Sequence, residues 1–401
     1  MSIQNPQSTG ASEGADRVSM AEIALAFLKL GTIAYGGPAA HIALMEQEFV
    51  RRRKWLTHQE FLDRLGAANL IPGPSSTEMA IYIGYTKRGW PGLLLAGCCF
   101  IIPAALLVTV IAAAYVRYGE LPRVAGVLYA VKAVVVAVIA QAFWKLSRTA
   151  VKTPFLAAVG LIAAILCILD QNNLLILIIS ALLAAVPVVC RRKPLASLIA
   201  LIALPLLKFK QSRVVPAILF SGSAIAAGAP FSLERLFFTF LKIGSVLFGS
   251  GYVLLAFLRS DFVTRLHWLT EQQLLDSVAV GQVTPGPVFT TATFIGYLLG
   301  GVSGAILATI GIFLPGFVFV AASGKLIPRI RSSPLAGAML DGVIMGSLAL
   351  MGVVTWQLGR AALTDWLTWT ISAVSLALLL STRINAVWLI AAAALAGVLH
   401  R

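Results

Sequence analysis

The residues whose types and spacing point most directly to chemistry are Pro72-Gly73-Pro74, followed by Ser75-Ser76-Thr77 and Glu78. This run interrupts an apolar segment. Because proline lacks a backbone N–H and glycine leaves the backbone free, it predicts a break in a helix. Pro74 suits the first turn of a new half-helix, whose first N–H groups lack partners and whose dipole end is positive. A helix terminus of this kind is suited to binding an anion.

The hydroxyl groups behind the break allow two interpretations. Those of Ser75-Ser76-Thr77 could donate hydrogen bonds to an oxyanion, or they could cap the half-helix and bond back to carbonyls. A polar cluster at a break in a hydrophobic segment favours the binding role. The motif returns at Pro285-Gly286-Pro287, with Thr290-Thr291 behind it, so we expect the same role there. Asn69 and Gln282 flank the two breaks and could supply amide donors.

Two titratable residues near the first break could carry protons. Glu78 lies within the apolar run, and a carboxylate beside an anion site is unexpected unless it takes up a proton. We therefore predict Glu78 as the leading candidate for proton coupling, and the alternative is favourable pairing with the positive helix end. His41 could shuttle protons, although a lone histidine is more often structural. We expect Asp63 and Asp276 to pair with arginines or to lie on solvated faces.

Composition indicates a polytopic helical membrane protein. The 401 residues are 59% hydrophobic and 12% charged, and the mean hydropathy is +0.90, more apolar than a soluble protein of this size requires. Apolar runs of about 20 residues recur, the length needed to cross about 30 Å of hydrocarbon. The net charge of +15 comes mostly from residues between these runs, so it indicates cytoplasmic loops rather than nucleic-acid binding.

The chain contains an internal duplication. When it is shifted by 213 positions, residues 27–74 align with 240–287 without a gap, and 18 of the 48 pairs are identical, the two Pro-Gly-Pro motifs included. We therefore divide the chain into four segments. They are a disordered tail (1–19), a first transmembrane repeat (20–190), a connector with short apolar segments (191–231) and a second transmembrane repeat (232–401).

Each repeat has the same predicted order of elements. A glycine-containing helix (about 20–45 and 233–258) precedes a short amphipathic helix with a capping box at its start. The broken segment follows (about 66–86 and 279–298), and four apolar helices complete the repeat. Glycines and prolines suggest hinges or close helix contacts as well as breaks. The predicted hinge or structural positions are Gly36, Gly37, Pro38, Pro72, Pro74, Pro285 and Pro287.

An oxyanion site also needs positive charge, and four basic residues stand at matching positions in the two repeats. Lys29 matches Lys242, and Arg52 matches Arg265. An ammonium within an apolar helix costs roughly a few kcal/mol, so it should face a cavity or a partner, or else snorkel to the interface. Arg265 lies where cytoplasmic anchoring does not require a positive charge, which favours a functional role for the arginine pair.

Loop charges predict that the two repeats lie in opposite orientations. Residues 46–64 carry five lysines or arginines, whereas the matching residues 259–277 carry two. Lys87-Arg88 in the first repeat is replaced by Leu299-Gly300 in the second. Because basic loops stay in the cytoplasm, the first broken segment should enter and leave from the cytoplasmic side and the second from the opposite side. Inverted repeats with broken helices near the midplane are a recurrent architecture of secondary transporters.

Three long motifs carry a family resemblance: Gly36-Gly37-Pro38-Ala39-Ala40-His41, then Met45-Glu46-Gln47-Glu48-Phe49-Val50, then Asn69-Leu70-Ile71-Pro72-Gly73-Pro74-Ser75-Ser76-Thr77-Glu78. With these motifs and its two halves, the chain resembles the long-chain members of the chromate transporter family over nearly all of residues 20–400. The resemblance implies an inner-membrane protein that exports chromate and confers resistance to it, with sulfate as a structural analogue and competitor.

The second half departs from the family motifs. Gly249-Ser250-Gly251 replaces Gly36-Gly37-Pro38, and Glu78 aligns near Thr290-Thr291. The two halves are therefore expected to have unequal roles.

We therefore predict an all-α polytopic membrane protein with two inverted homologous halves, acting as a secondary transporter of chromate by alternating access. Transport of sulfate or another oxyanion, or an anion channel of the same fold, stays open. An enzyme is disfavoured because no paired-carboxylate motif, metal-ligand cluster or phosphate loop is present. We expect no cofactor, metal or nucleic acid; the partners are the oxyanion and the lipid bilayer, and a homo-oligomer stays open. The predicted substrate-binding residues are Lys29, Arg52, Asn69, Gly73, Ser75, Ser76, Thr77, Lys242, Arg265, Gln282, Gly286, Thr290 and Thr291.

Overall fold

The computed structural model describes residues 18–119, 121–190, 230–248, 251–382 and 384–400. The predicted disordered tail, apart from its last two residues, and almost all of the predicted connector lie outside this described part of the chain.

The first repeat consists of seven helices and a short π-helical segment. They are α1 (Met20–Ile33), α2 (Gly37–Glu46), the π-helical segment (Gln47–Arg52), α3 (His58–Ala68), α4 (Ser75–Tyr118), α5 (Pro122–Ala150), α6 (Pro154–Ile168) and α7 (Asn173–Cys190). The described residues contain no β-strand.

The second repeat has seven helices and a π-helical segment in the same order, with two 3₁₀ turns in addition, so that each helix α1–α7 has its counterpart seven labels later. They are α8 (Leu233–Val246), a 3₁₀ turn (Gly251–Val253), α9 (Leu254–Leu258), a π-helical segment (Arg259–Arg265), α10 (Glu271–Val283), a second 3₁₀ turn (Val288–Thr290), α11 (Thr291–Ser332), α12 (Pro334–Ala362), α13 (Trp366–Ser381) and α14 (Ala386–His400). The prediction of an all-α protein with two homologous halves is confirmed.

In the described part of the chain, five helices are long and apolar enough to cross a membrane, and three shorter apolar helices accompany them. The five are within Ser75–Tyr118, Val124–Ala150, Asn173–Cys190, Val288–Ser323 and Pro334–Ala362. The chain is therefore a multi-pass membrane protein.

The helix starts follow local sequence signals. Both predicted capping boxes are present: Thr57 and Glu60 bond reciprocally at the start of α3, and Thr270 and Gln273 do so at the start of α10. Each box satisfies N–H groups that have no partner inside the helix.

The single helix predicted over residues 20–45 is wrong, because the chain breaks between α1 and α2. Gly36 and Gly37 have φ angles of 101° and 78°, a region that residues with a side chain rarely adopt. Pro38 then stands in the first turn of α2, where its missing N–H costs nothing. A local break is therefore present at Gly36-Gly37-Pro38. The single helix predicted over 233–258 is wrong in the same way, because α8 ends at Val246.

Helices α4 and α11 are each a hairpin of two arms. The turn in α4 lies at Arg88 and Gly89, and the turn in α11 lies at Gly300 and Gly301, with nearly identical backbone angles. In α4 the arms (75–87 and 90–118) run antiparallel, and Gly84 approaches the backbone of Gly92 so closely that neither has room for a Cβ atom.

Each Pro-Gly-Pro motif forms the tip of a second, shorter hairpin. Helix α3 packs against the first arm of α4, and Arg64 Nε donates to Thr86 Oγ1 at 2.8 Å near the open end of the pair. Helix α10 packs against α11 in the matching place. We call these pairs the re-entrant hairpins.

The two repeats exchange their last helices. Helices α6 and α7 pack on α12, and α13 and α14 pack on α5. The counterparts α5 and α12 themselves run antiparallel, because Phe143 lies against Gly352 and Val136 lies against Gly359. The largest hydrophobic core therefore contains residues of both repeats and holds them together.

Candidate functional site

The two Pro-Gly-Pro tips cross into each other's repeat. The backbone N–H of Gly73 donates to the carbonyl of Leu247 at 2.7 Å, and that of Gly286 donates to the carbonyl of Ala34 at 2.8 Å. Ala34 and Leu247 are the residues that end α1 and α8. Four helix breaks, two from each repeat, therefore meet at one place.

The glycines of the tips are required by the backbone. Gly73 has a φ angle of 135° and Gly286 one of 87°, and both residues are buried. A side chain at Gly286 would also meet the methyl group of Ala104 at 2.6 Å. The flanking prolines fix their own φ angles, so each tip is a rigid turn that presents one N–H to the opposite repeat.

His41 connects two of the breaks. Its Nε2 lies 3.1 Å from the carbonyl oxygen of Ala34, and its Nδ1 lies 3.3 Å from Ser76 Oγ. Because a carbonyl only accepts, Nε2 donates to Ala34, and Nδ1 of the neutral ring accepts from the Ser76 hydroxyl. The histidine is buried, and its counterpart in the second repeat is Leu254. The structure therefore places His41 at the helix terminus that the sequence singled out.

The start of α4 contains further polar groups without partners. Thr77 and Glu78 are buried, and the Thr77 hydroxyl and both carboxyl oxygens of Glu78 make no hydrogen bond to any described residue. Ser75 is half-buried. Unpaired buried polar groups are costly, so this cluster is the part of the breaks best suited to a polar ligand.

The hydroxyls of the second terminus turn back on their own backbone. Thr290 Oγ1 donates to the carbonyl of Pro287 and Thr291 Oγ1 to that of Val288, both at 2.8 Å. This is the local bonding that was the alternative to substrate binding. Asn69 is exposed at the end of α3, and Gln282 is half-buried near the end of α10.

The predicted basic residues form two matching clusters. Lys29 and Arg52 line an open cleft of about 700 Å³ beside α1 and α2, together with Arg51, Glu46 and Glu48. Arg52 pairs with Glu48 at 3.1 Å, whereas no ion pair of Lys29 is found within the described ranges.

In the second repeat the matching cluster is more tightly paired. Lys242 lies 2.6 Å and Arg265 3.1 Å from Asp261, the counterpart of Glu48. The basic residues therefore lie around acidic partners, and the first cluster retains a cleft and a lysine that bears no such partner in the described part of the chain.

A buried ion pair between the repeats was missed by the sequence reasoning. Lys132 Nζ of α5 lies 2.9 Å from Asp276 Oδ1 of α10, and Tyr115 of α4 donates to Asp276 Oδ2 at 2.9 Å. Lys132 and Asp276 are buried and Tyr115 is half-buried; among the described residues, Lys132 is the only lysine or arginine that is buried. The expectation that Asp276 pairs with an arginine or is solvated is wrong. A lysine in the apolar run 124–145 was the available signal.

Comparison with known proteins agrees with this architecture. The family model described as chromate transporter matches residues 21–186 and 234–398, one region in each repeat. The chain belongs to the chromate transporter family. A chromate transport protein of Cupriavidus metallidurans is 31% identical to it over 99% of this chain and 97% of that protein. A protein of Synechococcus elongatus titled probable chromate transport protein is 31% identical over 86% of each chain.

A further relative matches a smaller part of the chain. An uncharacterized transporter of Bacillus subtilis is 34% identical to it over 32% of this chain and 72% of that protein. No solved structure gives a significant match to the chain. The protein is thus a multi-pass member of a transporter family, built from two related halves.

Proposed function

We propose that this chromate transporter family member is a secondary transporter that exports chromate across the inner membrane by alternating access and so confers chromate resistance. The observation that carries the proposal is the reciprocal bonding of Gly73 to Leu247 and of Gly286 to Ala34. It gathers four helix breaks from both repeats at one place, as expected for a substrate site between repeats.

A tetrahedral oxyanion would bind at the broken helix ends. The terminus of α4 offers its positive dipole end and the hydroxyls of Ser75, Ser76 and Thr77, which together replace part of the water around the anion. The Ser76 hydroxyl, which donates to His41 in this structure, would exchange that bond for one to the anion. Thr290 and Thr291 would contribute from the second terminus after exchanging their present backbone bonds. Sulfate has the same shape and charge and is the expected competitor.

The packing of the repeats supports an inverted topology. Helices α5 and α12 are counterparts, are both membrane-spanning candidates and run antiparallel. A two-fold axis that relates two antiparallel helices is perpendicular to both of them. Because these helices would cross the membrane, the axis would lie in the membrane plane. The opposite loop charges of the two repeats point the same way. The two re-entrant hairpins would then enter from opposite faces, so that rocking of one repeat against the other exposes the breaks to each side in turn.

Electrostatics supports export of a divalent anion. An inside-negative potential contributes about 2.3 kcal/mol per charge per 100 mV to outward movement. The cleft lined by Lys29 and Arg52 lies on the repeat whose loops are basic, where it would raise the local concentration of the cytoplasmic anion. In the second repeat the matching basic residues are paired with Asp261, so that cluster would hold the anion less strongly. A weaker site suits release on the side opposite the cytoplasm.

The test is flux in proteoliposomes that contain the purified protein. Uptake of labelled chromate is measured with and without an imposed potential, and with sulfate as competitor. The proposal predicts saturable, potential-sensitive chromate flux with recovery of unchanged chromate. Flux that rises linearly with concentration would support a channel instead. Movement of sulfate without chromate would show that the substrate assignment is wrong.

A further inference from the structure

The side chain of Glu78 occupies a space between its own Pro-Gly-Pro turn and helix α11 of the second repeat. Its Oε1 lies where a Cβ atom on Gly73 would stand, and its Cγ lies beside Gly316 of α11. The side chain is fully buried, and neither oxygen has a hydrogen-bond partner among the described residues. The carboxyl group is therefore folded back under the Pro-Gly-Pro turn, at the terminus of its own helix.

The corresponding space at the second Pro-Gly-Pro tip is filled. Glu78 corresponds to Thr290, and Gly316 corresponds to Ala104. There the methyl group of Ala104 lies against Gly286, and the Thr290 hydroxyl turns back to Pro287. At the first tip, a glycine of the opposing helix therefore faces a carboxyl side chain, and at the second tip an alanine of the opposing helix accompanies a short hydroxyl. The space between Gly73 and Gly316 therefore accommodates a carboxyl side chain, and the matching space does not.

The described surroundings supply no counter-charge for an ionised carboxylate. Tyr82 on the same helix and His41, which reaches Ser76 from α2, are the titratable groups near it. The opposing residues of α11 are Gly316, Phe317 and Val320, and the apolar cluster at this terminus also contains α3 residues; none of them titrates. A buried carboxylate without a counter-charge is costly, and the cost disappears when it takes up a proton.

We propose that Glu78 is a tethered anion that competes with the transported oxyanion for the start of α4, so that the oxyanion binds there only when the Glu78 carboxylate takes up one proton. The step is a simple protonation: the carboxylate becomes a carboxylic acid, and the proton comes from the solution on the side that supplies the oxyanion. This inference rests on the proposed function, because it names the proton as the second ligand of the same site.

The experiment measures oxyanion binding to the purified full-length protein by calorimetry from about pH 5 to about pH 9. Sulfate is the first probe because its charge does not change over this range, and chromate above neutral pH is the second. In wild type we expect the affinity to fall by about tenfold per pH unit once Glu78 is ionised, with one proton taken up per anion. Buffers of different ionisation enthalpy report that proton count.

Replacement of the carboxyl group should remove the linkage. Glu78→Gln keeps the shape and removes the charge, so its affinity should be independent of pH and equal to the wild-type value at low pH. Glu60→Gln is the matched control, because the second repeat already has Gln273 at that place in its capping box. His41→Gln tests whether the pH dependence of binding comes from the histidine rather than from the Glu78 carboxyl group. If Glu78→Gln folds poorly, Glu78→Thr with Gly316→Ala copies the second repeat and should show the same loss of linkage.

The outcomes separate the two claims. An unchanged pH dependence in Glu78→Gln and in Glu78→Thr with Gly316→Ala, or its loss in His41→Gln alone, would overturn the role of Glu78 and leave the transporter intact. Absence of sulfate and chromate binding at every pH in wild type would overturn the proposed function, and the tethered-anion role with it.

Discussion

Gly73 and Leu247 belong to different repeats, and the N–H of the first donates to the carbonyl of the second at 2.7 Å. The symmetric bond from Gly286 to Ala34 shows that this contact follows from the duplication. Each bond ties the tip of a re-entrant hairpin to the end of the first helix of the other repeat. Any rocking of the repeats must therefore act on the place where the helix breaks meet.

The crossing tips should be intolerant of a side chain. We predict that Gly286→Ala lowers the stability of the protein by about 1–3 kcal/mol. Gly286 has a φ angle of 87°, and a Cβ atom at this position would meet the methyl group of Ala104 at 2.6 Å. Thermal unfolding in detergent is the measurement. Gly337→Ala on α12 is the control, because that glycine has open space around it; equal melting temperatures for the two variants would contradict the prediction.

The buried pair of Lys132 and Asp276 should behave differently from an exposed pair. Removal of either partner leaves an unpaired charge inside the bundle, so Lys132→Met and Asp276→Leu should each cost about 3–5 kcal/mol of stability. The double variant should recover most of this loss, because no charge is left unpaired. Unfolding measurements on the two single variants and the double variant give the coupling between the two residues.

The control for this cycle is an ion pair that also joins the repeats but is exposed. Lys152 lies 2.7 Å from Asp341, with the lysine side chain 58% exposed. The corresponding variants should each cost at most about 1 kcal/mol. Equal costs at the two pairs, or a double variant no more stable than the single ones, would show that the burial of Lys132 has no energetic consequence.

The two matching lysines should have separate roles. Lys29→Gln should slow chromate capture several-fold at low salt with little change in stability, because Lys29 lines the open cleft and its ammonium attracts anions. Lys242→Gln should instead cost about 1–3 kcal/mol of stability, because it removes a partner of the buried Asp261. Initial rates against salt concentration, together with unfolding curves, test both; identical behaviour of the two variants would argue against a capture role for the cleft.

The inverted topology can be tested by cysteine labelling. Trp90 and Val302 lie at matching positions just after the turns of α4 and α11, and they are 60% and 58% exposed. After replacement of the four native cysteines, Trp90→Cys should react with an impermeant thiol reagent only from the cytoplasmic side, and Val302→Cys only from the opposite side. Labelling of both from one side would rule out the inverted arrangement.

Features that occur in both repeats could be predicted from the sequence, whereas a contact that occurs in only one place could not. The offset of 213 residues, the capping boxes at Thr57 and Thr270 and the two Pro-Gly-Pro breaks are local or repeated signals, and the structure contains all of them. The pairing of Lys132 with Asp276 has no counterpart in the other repeat, since Ile344 stands in the place of Lys132. No spacing rule connects two residues 144 positions apart, so only the fold brings them together.

The packing of the last helices of each repeat on the other repeat could not be predicted from the sequence either. Hydrophobic runs predict where helices lie, but they do not say which helix of the other repeat each one packs on. The surroundings of Lys29 and Arg52 could not be predicted for a similar reason. The matched basic residues suggested a binding role, whereas the π-helical segment brings Arg52 next to Glu48, four residues before it. Lys29, which lines the same cleft, keeps the capture role that we propose.

The central claim is that the crossed helix breaks bind the oxyanion, and the most direct test is chromate flux in a Ser75→Ala, Ser76→Ala, Thr77→Ala triple variant. Loss of three hydrogen bonds of about 1 kcal/mol each predicts about a hundredfold loss of apparent affinity. Ser147→Ala with Thr149→Val is the control, because these hydroxyls bond to their own backbone on the exposed face of α5. Wild-type flux in the control and loss in the triple variant is the predicted result. Unchanged affinity in a folded triple variant would contradict the account.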